Sequence, residues 1–300
     1  MRYVRVGVAL GLLGGIVGCG DHTMEGMPAA DMTMLPPPPN FKPCGHAHND
    51  YVHTRPLLDA LDNDMCSVEA DVWLTGGELL VAHAQAETDP GKTLRSLYLD
   101  PLRDRASAHG GKILDDRDDF MLLIDVKSEA ETTWAEIAAE LAPYSDLLTV
   151  WNDGHETRGA VTVVISGNAA RTTILGSTMR LAALDGVVGM DLSGADASAR
   201  APLVSGCWFA FECANGLNLS WDGTGSIPAA DTATLQADAS AAHGNGQHFR
   251  TWGLSGANDI PVANVSSADT PAVWSAQIAA GVDRINVDDL TGFKQFIDSQ

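Results

Sequence analysis

Positive charge is scarce in this chain. Lysine and arginine total 18 against 39 aspartates and glutamates, a formal net charge of −21 at pH 7. A surface that acidic lacks the cations that neutralise a nucleic-acid backbone, which argues against nucleic acid as a partner and against long-range attraction to anionic lipid. Cysteines number five, and none forms a C-x-x-C pair, so zinc-ribbon and thioredoxin-like readings have no support. The N-terminal apolar run, Val6 to Val17, is too short for a comfortable membrane-spanning helix. Internal repeats and a central low-complexity break are also absent, which favours one large domain. The chain is 45% hydrophobic, enough to bury a sizeable core.

The first residues read as targeting rather than fold. Arg2 and Arg5 precede the apolar run, which ends Ile16-Val17-Gly18-Cys19. That pattern predicts a signal peptide over 1–18 with Cys19 lipidated, the rival being an ordinary secretory signal with a chance cysteine. Residues 19–40, rich in Met and Pro and closing on Pro36 to Pro39, read as an extended tether. The expectation is an exported, membrane-anchored bacterial lipoprotein, held by its lipid, with a folded domain over 41–300.

Past the tether, short β-branched runs alternate with amphipathic or Ala-rich stretches. Strands are expected near 44–48, 67–73, 120–127, 161–167, 187–192, 217–221, 248–253 and 284–288. Helical patterns lie at 56–63, 94–108, 130–142, 169–182, 231–243, 271–280 and 291–298. Eight strands with intervening helices define a (β/α)₈ TIM-type barrel. The stretch 193–216 is ambiguous, since Ser205 to Cys213 reads as strand or packed loop, and 146–158 suggests an irregular hairpin.

Chemistry concentrates between Gly45 and Ala84, where His48, Glu69, Asp71 and His83 occur in one segment. In a strand, residues two apart share a face, so Glu69 and Asp71 point the same way, as do Asp125 and Lys127 in the apolar run Met121 to Lys127. Paired carboxylates suit a hard divalent cation, Mg²⁺ or Ca²⁺, better than zinc or copper. Two imidazoles beside them supply proton transfer, and together these are the parts of a metal-assisted phosphodiester cleavage. In a barrel, His48, Glu69, Asp71 and Asp125 all fall at C-terminal strand ends, the catalytic face. His46 shares a strand face with His48 and rivals it. Trp221, Trp252 and Asn286 lie near later strand ends, with core packing the competing role for the tryptophans.

These motifs also carry a resemblance. Ala47-His48-Asn49-Asp50, then Val68 to Leu74 and Leu79 to His83, resemble the opening blocks of glycerophosphodiester phosphodiesterases. Leu123 to Lys127 resembles a strand motif shared by those enzymes and the sphingomyelinase D toxins. The HNDY, VEADVWL, LLVAH and TLRSLYLDPL segments are most similar to the PI-PLC-like family typified by altered inheritance of mitochondria protein 6. The resemblance spans about residues 41–298. It implies catalytic His48 and His83, metal ligands Glu69, Asp71 and Asp125, and substrate contacts at Lys127, Asn49 and Trp252. Asn49 replaces the arginine that follows the first histidine in the diesterases, and Arg55 to Leu58 replaces an acidic element there.

The substrate implied is a glycerophosphodiester or phospholipid-type phosphodiester. The rivals are a sphingomyelinase-D-like or PI-specific phospholipase, and a non-catalytic lipoprotein that binds a phosphorylated ligand. Cys44 and Cys66 precede the first two strand motifs and would bridge if those strands are neighbours, with two free thiols as the alternative. Cys207 and Cys213, about 20 Å apart if extended, pair only across a turn.

Overall fold

A computed structural model describes residues 42–191, 193–194, 196–208, 216–222, 225–253 and 270–300 of the chain. Its strands, in order, are β1 (Cys44–Ala47), β2 (Ser67–Thr75), β3 (Glu78–Val81), β4 (Phe120–Val126), β5 (Val150–Asn152) and β6 (His155–Thr157). There follow β7 (Val161–Gly167), β8 (Met179–Arg180), β9 (Ala183–Val187), β10 (Leu203–Cys207), β11 (His248–Trp252) and β12 (Arg284–Val287). Eight of them close on themselves in the order β1-β2-β4-β7-β9-β10-β11-β12, with every pairing parallel. Parallel neighbours need crossovers, and helices supply them. These are α1 (Leu58–Asp62), α2 (Asp100–Ala108), α3 (Ala130–Leu141), α4 (Arg171–Gly176), α5 (Ala197–Arg200), α6 (Ala229–Gly244), α7 (Pro271–Ala280) and α8 (Leu290–Asp298). The expected (β/α)₈ barrel is therefore the observed fold.

Local chemistry accounts for several boundaries. The Glu129 carboxylate accepts from the backbone N–H groups of Glu131 and Thr132 and so starts α3. Thr270 accepts from Val273 N–H, Pro271 occupies the first turn, and Gly281, at φ 91°, ends α7 in the left-handed region. Outside the barrel, β5 and β6 form an antiparallel hairpin around Asp153-Gly154, both at positive φ, the turn chemistry that a two-residue hairpin requires. β8 adds to that hairpin, and β3 folds back antiparallel on β2.

Alternation sorts the core into two compartments. Leu122, Ile124 and Val126 of β4 join the large cluster that packs against the helices. Met121 and Leu123, on the opposite face, form a small cluster with Val164 and Leu203 inside the barrel. Above this apolar plug the interior is polar, because the register puts Glu69 beside Leu123 and Asp71 beside Asp125. The other end is closed by charge. Arg284, almost fully buried, donates to Asp119 Oδ2 at 2.7 Å, and His243 Nε2 lies 2.7 Å from Asp283 Oδ2.

Two strands differ from expectation. The fifth is β9 at 183–187, earlier than 187–192, and the sixth is β10 at 203–207, not 217–221. The reason is burial. Ala182 to Leu184 are small or apolar and wholly enclosed, while Met190 is exposed, so the less β-branched run takes the strand. Residues 217–221 instead lie against the end of β10, with Leu217 N–H donating to Cys207 O and Leu219 N–H to Trp208 O. Trp221 packs in the core, 6.4 Å from Trp208. Cys44 and Cys66 form a disulfide between adjacent barrel strands, and Cys207 is disulfide-bonded as well; Cys213 lies outside the described residues.

Candidate active site

At the C-terminal mouth of the barrel is a cavity of about 620 Å³. His48, Asn49, Glu69, His83, Asp125, Lys127, Arg250 and Trp252 all line it. Seven of these are residues the sequence singles out. Arg250 is not, and neither are Arg171, Asp185 and Ser205, which also face the cavity.

His48 leaves β1 at the barrel rim. Its N–H donates to Val287 O, and its Nδ1 lies 2.9 Å from Asp288 Oδ1. A carboxylate on one imidazole nitrogen fixes the ring and favours its protonated form, which is how a proton-transferring histidine is oriented. Asp288 was not predicted. It is 240 residues away in sequence and reaches His48 only because β12 closes against β1. Asn49 adopts the left-handed conformation at φ 47°, which Asn tolerates, and the Tyr51 hydroxyl lies 2.7 Å from its Oδ1. The same hydroxyl lies 2.9 Å from Asp71 Oδ2.

His46 does not reach the cavity. It is wholly enclosed in the barrel, with Nδ1 2.7 Å from Ser67 Oγ and Nε2 2.8 Å from Arg250 Nη1 and 3.2 Å from Glu69 Oε2. Burial, and then the Arg250 charge, push its pKa down to about 4. Asn286, its register partner on β12, is also buried in the barrel.

The carboxylates divide into two environments. Burial alone would raise the Glu69 pKa, but His46, His48 and Arg250 overcome it and hold this acid well below the ordinary range. Asp71 lies deeper, with no exposed surface, and is pushed up to about 7 by burial and by Glu69, against the opposing pull of Lys127. Lys127 Nζ lies 3.0 Å from both Asp71 Oδ2 and Asp125 Oδ1, and these two acids raise its pKa against the effect of burial. Asp125 Oδ2 also accepts from Ser166 Oγ at 2.7 Å. Across the cavity, burial pushes Asp185 up to about 7 although Arg250 and the Ser205 hydroxyl, at 2.7 Å, favour its ionised form.

The expected cage of Glu69, Asp71 and Asp125 around one cation is not formed. Among the described residues no three His, Cys, Asp or Glu side chains are arranged to share a metal ion. The physical reason is Lys127, whose ammonium stands between Asp71 and Asp125, while Glu69 is turned toward His46. The donor chemistry nonetheless suits a hard cation. Among the described residues Asp71 Oδ1 is buried without a hydrogen-bond partner, and burial first, then repulsion from Glu69 and Asp125, keeps Asp71 from ionising normally.

Comparison with known proteins follows the same outline. Residues 40–184 match the AIM6-like phosphodiesterase domain. Altered inheritance of mitochondria protein 6 of Eremothecium gossypii is 28% identical over 84% of this chain and 68% of its own length. Its counterpart in Lachancea thermotolerans is 29% identical over 84% of this chain and 65% of its own length, and that of Kluyveromyces lactis is 35% identical over 41% and 37%. Among solved structures, a calcium-dependent phosphoinositol-specific phospholipase C from a Pseudomonas species aligns at TM-score 0.46 and 10% identity, over 83% of this chain and 89% of that one. The domain match and these relatives support assignment to the PLC-like phosphodiesterase superfamily.

These relatives overturn one expectation. They are fungal proteins named for the inheritance of mitochondria, so the placement as an exported bacterial membrane lipoprotein does not stand. A short basic-then-apolar segment ending in cysteine is a signal of low specificity, and Cys19 lies outside the described residues. Among the described residues no helix is long and apolar enough to cross a membrane.

Proposed function

We propose that this protein hydrolyses a phosphodiester of the glycerophosphodiester or phospholipid type by two-histidine acid–base catalysis. The observation that carries this reading is one cavity lined by His48, His83, three carboxylates (Glu69, Asp125 and Asp185) and three cations (Lys127, Arg171 and Arg250) at the catalytic face of a barrel. A phosphodiester has an anionic centre, an attacking oxygen that must lose a proton and a leaving oxygen that must gain one. The cavity has groups for all three.

His48 is suited to the base. Its link to Asp288 stabilises the imidazolium that forms when it accepts a proton, in the manner of a carboxylate-oriented catalytic histidine. His83 lies exposed on the segment after β3 and faces the same cavity, which suits the acid that protonates the departing oxygen. Asn49, fixed beside Tyr51, and Trp252, partly exposed on the opposite wall, are assigned to substrate contact. Glu69, Asp71 and Asp125 would hold a divalent cation, Mg²⁺ or Ca²⁺, which neutralises non-bridging phosphate oxygens when bound. In the absence of such an ion, Lys127 compensates Asp71 and Asp125.

The test is a panel of glycerophosphocholine, lysophospholipid, sphingomyelin and phosphatidylinositol, assayed with EDTA and with Mg²⁺ or Ca²⁺ added back. His48→Ala and His83→Ala are each expected to lower turnover by roughly 10²- to 10⁴-fold, the usual worth of a proton-transfer partner. Hydrolysis of none of these by the parent protein, under any metal condition, would overturn the reading.

A further inference from the structure

Arg250 is a buried guanidinium with no place in the assignments above. It leaves β11 toward the centre of the barrel, is about 95% enclosed, and lines the cavity. Two of its three nitrogens are engaged. Nε donates to Ser205 Oγ at 3.0 Å, and Nη1 donates to His46 Nε2 at 2.8 Å while lying 3.5 Å from Glu69 Oε2. Arginine cannot accept a hydrogen bond, so His46 must offer a lone pair at Nε2 and carry its proton at Nδ1, facing Ser67. His46 and Ser205 thus hold the guanidinium at two of its nitrogens.

Nη2 differs. Among the described residues it makes no hydrogen bond, and its charged partner is Asp185 Oδ2 at 3.8 Å, an ion-pair distance with no directional bond. Lys127 presents the opposite case, since its ammonium is held at 3.0 Å by each of two carboxylates. A planar fork that is held at Nε and Nη1 and has N–H groups to spare at Nη2 is preorganised for a phosphate oxygen, whereas an ammonium must first give up two partners.

We propose that Arg250 is a phosphate-binding residue of this cavity, its Nη2 donating to a non-bridging phosphodiester oxygen, with His46 and Ser205 as its positioning residues and Asp185 as the group that phosphate displaces. The proposal rests on the phosphodiester reading and deepens it. Asp185 and phosphate compete for one donor edge, so removing the Asp185 charge strengthens phosphate binding. A purely structural Arg250 would give the opposite result, because the loss of Asp185 would only loosen its packing.

The experiment is isothermal titration of the intact protein with inorganic phosphate, in EDTA and again with Mg²⁺, alongside the variants Arg250→Gln, Arg250→Lys, Asp185→Asn and Lys127→Gln. Arg250→Gln is expected to weaken phosphate binding roughly tenfold or more, as loss of a charge-assisted bond does, and Arg250→Lys to recover only part of it. Asp185→Asn is expected to tighten binding by roughly threefold, the scale of an ion pair without a directional bond. Should the glutamine variant fail to fold, the lysine and Asp185→Asn variants carry the test. Unchanged phosphate affinity in a folded Arg250 variant, or weaker binding in Asp185→Asn, would overturn the assignment while leaving the phosphodiester reading intact. A parent protein that binds no phosphate in either buffer would overturn both.

Discussion

Asp50, two residues beyond the candidate base His48, makes the stability of this barrel depend on pH in a way that one substitution isolates. Its side chain is fully buried, and Oδ2 accepts the Leu57 N–H at 2.5 Å, pinning the loop between β1 and α1. Burial raises its pKa from 3.8 to about 7, although the Leu57 N–H and the Tyr98 hydroxyl pull the other way. The folded protein therefore keeps a proton that the unfolded chain gives up. The stabilisation linked to that proton is complete below the unfolded value and is lost as pH rises through about 7. Over the window from about pH 5 to about pH 8, proton linkage between those two values amounts to a loss of ~2.5 kcal/mol. Asp50→Asn still accepts the Leu57 N–H and never ionises. Urea unfolding of parent and variant across that window should show the variant gaining on the parent by this amount as pH rises. Asp71 and Asp185, also raised to about 7, titrate in both proteins and cancel in the difference. A difference that stays flat, or that moves the other way, would refute a buried protonated Asp50.

Three further outcomes are expected. Gly167 sits at φ +63°, and a Cβ there would lie 2.5 Å from Asp125 Oδ1 and 2.6 Å from Val126 O; Gly167→Ala should cost more than the roughly 1–2 kcal/mol of the left-handed backbone and lower turnover by displacing Asp125, which unchanged melting and activity would contradict. Asp231 accepts from Ser220 N–H at 2.9 Å and Trp221 N–H at 2.7 Å; Asp231→Ala orphans both donors, at roughly 1–3 kcal/mol each if they stay buried, and a melting temperature equal to that of the parent would exclude that anchoring role. Replacing Cys44 and Cys66 together by serine opens a loop with a sequence separation of 22; the chain-entropy estimate is ~3 kcal/mol, to be read from denaturant unfolding against the oxidised parent.

The sequence by itself determined the barrel and the strands that carry its chemistry. Alternation in Ser67 to Leu74 and in Met121 to Lys127 is a local property of the chain, so the shared faces of Glu69 with Asp71 and of Asp125 with Lys127 were readable before any fold. The first four barrel strands and the last two lie close to their expected places for the same reason. Strands five and six lie away from their expected places because enclosure of Ala182 to Leu184 and of Leu203 to Cys207, which local composition does not reveal, decides them. Tertiary structure alone decided three features of the site. Barrel closure sets Asp288 beside His48 across 240 residues. The circular strand order brings Arg250 of the seventh barrel strand onto His46 and Glu69 of the first two. The depth of Asp71 inside the mouth puts the Lys127 ammonium, rather than a third carboxylate, between Asp71 and Asp125. Strand periodicity fixes which way a side chain points along its own strand, but which charges meet, and which of them is left with a free donor, depends on neighbours that only the closed barrel supplies.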